Sequence, residues 1–206
     1  MTLEEILNIA PVVPVLTIED AAHAAPLARA LVAGGLRALE ITLRTSVAIE
    51  AIERIAREVE DGVAGAGTVL NAADLDRVAR AGARFAVSPG LMSGAAPDGP
   101  IPLLPGVATA TELMRGLELG FCYFKLFPAV PAGGTATLKA FAPVFPQARF
   151  CPTGGVTAGN APDFLTLPNV ICVGGSWVAP AEAVRDGDWA RITALASAAA
   201  ALGAGR

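Results

Sequence analysis

The stretch FCYFKLFPA, residues 121–129, sets a cation in the middle of a run that otherwise reads as buried β-strand. Gly120 precedes it and Pro128 interrupts it, so residues that break regular structure bound it on both sides. Between them phenylalanine, tyrosine and leucine occupy both faces of the alternation. That is the pattern of a parallel strand covered by helices. Only two of the 15 lysines and arginines are lysine, Lys125 and Lys139. Lys125 falls where a charge is most costly.

Runs of the same kind recur on both sides of this one. They are VVPVL (12–16), ALEITL (38–43), GVAGAGTV (62–69), FAVSPG (85–90), IPLLPGV (101–107), FCYFKLFP (121–128), ARFCPTGG (148–155) and VICVGGSW (170–177). Helical patterns separate most of them. TSVAIEAIERIAREV places Ile49, Ile52 and Ala56 on one stripe and leaves Glu50, Glu53, Arg54 and Arg57 for water. Asn71 caps a helix that ends at Gly82, and Thr109 with Glu112 forms a capping box before a helix that stops at Gly120. Pro26 lies inside another helical segment and predicts a kink or a split there. Thr2 and Glu5 have capping-box spacing for a short N-terminal helix.

Eight strand–helix units predict an α/β fold, a compact (β/α)₈ TIM barrel spanning 1–206 as a single domain. One unit is thin: between Leu91 and Ile101 lies only MSGAAPDGP, which predicts a turn or a single helical turn. The rival architecture is an open doubly wound sheet, but no GxGxxG follows a first strand.

Composition narrows the function. With 53% hydrophobic and 17% charged residues the chain can bury a large core. A net charge of −4 and the lack of a basic run argue against a nucleic-acid partner. No long uncharged apolar run or basic leader appears, so neither a membrane span nor secretion is expected. Cys122, Cys151 and Cys172 lie far apart without CxxC spacing, which predicts a reducing cytoplasm and ordinary core packing. His23 is the only histidine, so no histidine triad or His-rich metal site is expected.

In this fold chemistry collects at the C-terminal ends of the strands. Those ends carry Glu40 and Arg44, Thr68, Pro89, Lys125, Gly154 and Gly155, and Gly174, Gly175 and Ser176. Alternation aligns Glu40, Thr42 and Arg44 on one face, and Phe121, Tyr123, Lys125 and Phe127 on another. If both faces point inward, a carboxylate, a guanidinium and an amine meet near the barrel mouth. Burial among Phe, Leu and Tyr, helped by Arg44, would disfavour the ammonium and free a nucleophile for Schiff-base formation with a ketone. The imine then serves as an electron sink for breaking or making the adjacent C–C bond. Glu40 is the only inward carboxyl, suited to moving protons. An apolar surround also implies that truncating Lys125 costs the fold little. A buried ion pair with no catalytic role remains the alternative for Glu40 and Lys125. The glycine pairs of PTGGV and VGGSW end the seventh and eighth strands, where barrels bind phosphate through backbone N–H groups. Simple turn chemistry would also place glycine there.

The chain resembles the bacterial 2-keto-3-deoxy-6-phosphogluconate (KDPG/KHG) aldolases. The resemblance is carried by PVVPVL, LVAGGLRALEITLRT, VAGAGTVLN, FAVSPGL, PLLPGVATATEL, FKLFPA, FCPTGGV, VGGSWV and DWARI, in that order over most of the chain. It implies Lys125 as the Schiff-base lysine and Glu40 as the general acid/base. It implies Arg44 and Thr68 at the keto-acid end, Pro89 and Phe127 lining the pocket, and Gly154, Gly155, Gly174, Gly175 and Ser176 at the phosphate and hydroxyl end. The implied reaction is reversible cleavage of 2-keto-3-deoxy-6-phosphogluconate to pyruvate and glyceraldehyde 3-phosphate, a step of the Entner–Doudoroff pathway, with 4-hydroxy-2-oxoglutarate as a further substrate. It needs neither metal nor cofactor, and the family commonly forms homotrimers. Arg44 in EITLRT and Ser176 resemble the phosphogluconate branch of the family. The short MSGAAPDGP departs from relatives with a fuller fourth helix. Two readings of other classes remain: a phosphate-binding barrel isomerase or synthase without covalent lysine chemistry, and a non-catalytic barrel.

Overall fold

The computed structural model describes residues 1–203. In chain order it contains α1 (Leu3–Leu7), β1 (Val12–Leu16), α2 (Ala24–Ala33), β2 (Ala38–Thr42), α3 (Ala48–Glu58), β3 (Val63–Gly67), α4 (Ala72–Arg80) and β4 (Phe85–Val87). Then follow β5 (Leu103–Leu104), β6 (Gly106–Val107), α5 (Ala110–Glu118), β7 (Tyr123–Leu126), α6 (Gly134–Val144), β8 (Arg149–Pro152), α7 (Ala161–Leu165), β9 (Val173–Gly175), α8 (Ala181–Arg185) and α9 (Trp189–Ala200). All strand pairs are parallel, and the fold is α/β.

The helix starts follow their side chains. Thr2 and Glu5 cap α1 reciprocally, and the Asn71 side chain accepts from the Asp74 N–H at the head of α4. At the head of α5 the Thr109 hydroxyl accepts from the Glu112 N–H, while the Glu112 carboxylate accepts from the Ala108 and Thr109 N–H groups and the Thr109 hydroxyl. The Ala108 N–H, at 2.8 Å, is the main reason the Glu112 carboxyl titrates below its ordinary range; partial burial opposes it. Pro26 splits its segment. A 3₁₀ turn covers Ala21–His23, and α2 begins at Ala24, which puts Pro26 in the first helical turn, where its missing N–H is not needed. Residues 91–101 form turns and bends with no helix.

The strands hydrogen-bond in two sheets, β5-β4-β3-β2-β1-β9 and β6-β7-β8. Pro105, lacking an N–H, separates β5 from β6, so the single run expected over 101–107 becomes two short strands, one in each sheet. Isolated parallel bridges, Phe150 with Val170 and Thr153 with Gly174, connect the β8 and β9 segments. The sheets curl around a shared interior, because side chains from both meet there.

Two apolar clusters divide the residues by strand parity. The outer cluster packs the helices on Leu39, Ile41, Ala64, Ala66, Phe124 and Phe150. The inner one gathers Val13, Ala38, Val63, Phe85, Leu104 and Cys151, with Ile6 and Leu7 of α1 beneath them. Val63, Ala38 and Phe85 are the first residues of their strands, so the N-terminal end of the interior is apolar and plugged by α1. Burying Ile6 and Leu7 contributes on the order of 1.5–3 kcal/mol each. Polar groups then collect further up, toward the C-terminal strand ends: Glu40, Thr42, Lys125 and Thr153 are all buried. Parity corrects one expectation. Phe121 precedes β7 and packs in the outer cluster, so it does not share the inward face of Tyr123 and Lys125. Cys151 and Cys172 are buried as expected, whereas Cys122 is exposed. His23 packs edge-on against Trp189, ring centroids 5.8 Å apart. No helix of the described residues is long and apolar enough to cross a membrane.

Candidate active site

Lys125 stands in the middle of β7, opposite Gly106 on one side and Cys151 on the other. Glu40 occupies the centre of β2, opposite Val15 and Gly65. The two side chains cross the interior and meet: Nζ of Lys125 donates to Oε1 of Glu40 at 2.9 Å. The side chains are 6% and 4% exposed, so the pair is shut away from bulk water. Nζ also lies 5.4 Å from the centroid of the Phe127 ring, which flanks the amine with a π-face. The sequence predicted an apolar surround for Lys125; the fold supplies an apolar wall on one side and a carboxylate on the other. A proton leaving the ammonium therefore has an acceptor in direct contact and need not travel to solvent.

Arg44 does not join them. It lies exposed in the turn after β2, and its side chain makes no hydrogen bond or ion pair with a described residue. The expected cluster of three is a pair, with the guanidinium at the rim. Its loop is held firmly: Thr42 Oγ1 donates to the Leu16 carbonyl at 2.9 Å, Thr45 Oγ1 donates to the Ile18 carbonyl at 2.7 Å, and the Leu43 N–H donates to the Gly67 carbonyl at 2.9 Å.

Thr68 follows β3 with φ of 59°. A β-branched residue in the left-handed region carries strain of about 1–3 kcal/mol, and such strain concentrates at functional sites. The flanking bonds, Leu43 N–H to Gly67 O and Val69 N–H to Val87 O, hold the kink from both sides. Pro89 follows β4 and is half-buried; its backbone packs so closely on Gly106 that no Cβ would fit there.

The two glycine pairs have different structural causes. Gly154 and Gly155 have φ of 99° and 81°, a turn that places the Gly154 carbonyl to accept from the Val130 N–H at 3.0 Å. Gly174 lies against the Thr153 side chain and Gly175 against the Trp177 ring, both too close for a Cβ. Ser176 is exposed just beyond β9 and lines a cavity of about 390 Å³ with Thr17, Trp177 and Ala181. A second cavity, about 530 Å³, opens among Glu4, Asn8, Tyr123 and Arg149, and none of the expected site residues lines it. Burial, with the Glu4 carboxylate beside it, pushes the Tyr123 hydroxyl up. Thr153 was not singled out from the sequence, although its register two residues beyond Cys151, the partner of Lys125, marks it as inward. Among the described residues no group of three or more His, Cys, Asp or Glu side chains converges to hold a metal ion.

A buried amine against a carboxylate at the C-terminal half of parallel strands is an arrangement for proton transfer next to a nucleophile. The family described as "Aldolase: KDPG and KHG aldolase" matches residues 3–195. The KHG/KDPG aldolase of Escherichia coli K12 is 53% identical over 196 residues, covering 94% of this chain and 92% of that protein. A crystal structure of KDPG aldolase from Legionella pneumophila, with pyruvate captured at low pH as a covalent carbinolamine intermediate, superposes with a TM-score of 0.94 at 47% identity, covering 97% of this chain and 98% of that one. The 2-keto-3-deoxy-6-phosphogluconate aldolase of Zymomonas mobilis ZM4 with 3-phosphoglycerate superposes with a TM-score of 0.92 at 53% identity, covering 97% and 95%. At such identity over almost the whole length, this chain belongs to the KDPG and KHG aldolase family of carbon–carbon lyases.

Proposed function

We propose that the protein is a Schiff-base aldolase that reversibly cleaves 2-dehydro-3-deoxy-6-phosphogluconate to pyruvate and D-glyceraldehyde 3-phosphate. The observation that carries the reading is the buried contact of 2.9 Å between Lys125 Nζ and Glu40 Oε1. Lys125 passes a proton to Glu40 and attacks the C2 ketone. The carbinolamine loses water, with Glu40 delivering the proton that makes hydroxide a leaving group. In the imine the C3–C4 bond breaks as Glu40 takes the C4 hydroxyl proton. The electron pair flows to the imine nitrogen and the aldehyde departs. Protonation of the enamine at C3 and hydrolysis release pyruvate and restore the amine.

Arg44, whose side chain makes no hydrogen bond or ion pair with a described residue, is suited to hold the keto-acid carboxylate through its planar fork, with Thr68 at the end of the adjoining strand. Pro89 and Phe127 line the same pocket, and Phe127 lies next to the amine. Gly154, Gly155, Gly174, Gly175 and Ser176 take the phosphate, a role favoured by the close backbone approach that glycine permits. The unphosphorylated 4-hydroxy-2-oxoglutarate, giving pyruvate and glyoxylate, is a second substrate, favoured by the 53% identity to a KHG/KDPG aldolase. We further read the two sheets as one closed (β/α)₈ ring over a single domain; of the expected span 1–206, residues 204–206 lie outside the described residues. Support comes from β5 and β6 being parted by Pro105 alone and from the bridges between the β8 and β9 segments. Assembly as a homotrimer in the cytoplasm completes the proposal.

The test is incubation with pyruvate and sodium borohydride followed by mass measurement of peptides. The expected product is a reduced pyruvyl adduct on Lys125. Labelling confined to Lys139, or none at all, rejects the covalent reading.

A further inference from the structure

The residue that sets Glu40 against Lys125 comes from a different strand, and the geometry points to Gly67. This inference rests on the reading of Lys125 and Glu40 as the reacting pair. Gly67 ends β3, and its φ lies outside the left-handed region occupied by several other glycines of the chain. Its backbone would accept an alanine; the space around it would not. A Cβ at position 67 would run into Glu40 Oε1, the same oxygen that accepts from Lys125 Nζ, and would come within 2.7 Å of Glu40 Cγ and 2.8 Å of Cδ.

Register explains the encounter. Glu40 faces Gly65 across the ladder, whereas Thr42 faces Gly67. The Glu40 side chain therefore leans toward the C-terminal end of its strand and lies over the next inward position of β3. Any side chain at that position would occupy the carboxylate's path. The β3 backbone has little room to retreat, being paired with β2 over all five residues and with the Gly67 carbonyl accepting from Leu43 N–H. The carboxylate is what must move, and moving it breaks its contact with the amine. Gly67 is thus a positioning residue for the proton-transfer step.

The experiment compares the wild-type chain, Gly67→Ala, Glu40→Ala and the double variant in a coupled assay of 2-dehydro-3-deoxy-6-phosphogluconate cleavage. Gly67→Ala is expected to lower kcat by about 100-fold, the scale of a lost general acid–base contribution, with KM within about threefold. In the Glu40→Ala background the obstruction is absent, so adding Gly67→Ala is expected to change kcat by less than about threefold. A kcat for Gly67→Ala within threefold of wild type overturns the inference, and so does an equal loss in both backgrounds, which is what a merely structural role gives. Should Gly67→Ala fail to fold, the double variant is expected to fold because the carboxylate is gone; failure of both, with Glu40→Ala folded, also overturns it. An inactive wild-type chain would instead sink the aldolase reading itself.

Discussion

Replacing Lys125 by methionine keeps its volume and removes its charge. The Glu40 carboxylate then loses its only hydrogen-bond partner among the described residues while staying 4% exposed. Breaking a buried ion pair from one side costs about 3–5 kcal/mol, because the remaining charge is neither solvated nor paired. For a chain of this length each kcal/mol corresponds to about 2–4 °C in Tm, so Lys125→Met should melt about 6–20 °C lower. This differs from the expectation drawn from the apolar neighbours in sequence, under which truncation would cost little. Glu40→Met should be destabilising for the mirror-image reason, since it strands the ammonium. The double variant, apolar on both sides, should recover most of the loss. Urea unfolding of the four proteins closes a double-mutant cycle, and calorimetry gives the melting temperatures independently. A loss below about 1 kcal/mol for Lys125→Met, or a double variant that loses the sum of the singles, would show that the two groups do not form a buried pair in solution.

Thr68→Gly should relieve the left-handed strain at φ of 59° and leave stability unchanged or higher by up to about 1 kcal/mol, while raising KM for the keto acid; a lower urea midpoint would count against the strain. Glu112→Ala should cost about 1 kcal/mol at neutral pH, the typical worth of a helix cap. Because the folded-state pKa of Glu112 is depressed, its stabilisation is present above the unfolded value and is lost as pH falls through the folded one. The gap between wild type and Glu112→Ala should therefore close on acidification, and a gap that is constant with pH would contradict the assigned hydrogen bonds.

Much of the architecture was legible in the chain because its causes are local. The capping boxes at Thr2 and Thr109 and the cap at Asn71 act over three residues, and each forms as its spacing predicts. The strands from Val12 and Ala38 start where the apolar runs do. The missing helix over 91–101 follows from glycine and proline. The division of 101–107 between two sheets was not anticipated. Pro105 was visible, but whether a proline interrupts a strand depends on which neighbour would have needed its N–H. Phe121 lies off the inward face because strand alternation holds only from Tyr123, and two residues ahead of β7 the strand geometry has not begun.

Sequence alone determined the succession of strands and helices, the parity that turns Glu40 and Lys125 inward, and, through resemblance, the family. These follow from periodicity and from motifs read within a few residues of one another. Tertiary structure decided which inward groups touch. Glu40 and Lys125 are 85 residues apart in the chain, and their contact depends on how two sheets curl toward each other and how far each strand is shifted along its neighbour. The same offsets leave Arg44 at the rim and lay Glu40 over Gly67. A period of two names the face a side chain points to; only the register and curvature of the assembled strands bring it against a partner on another strand.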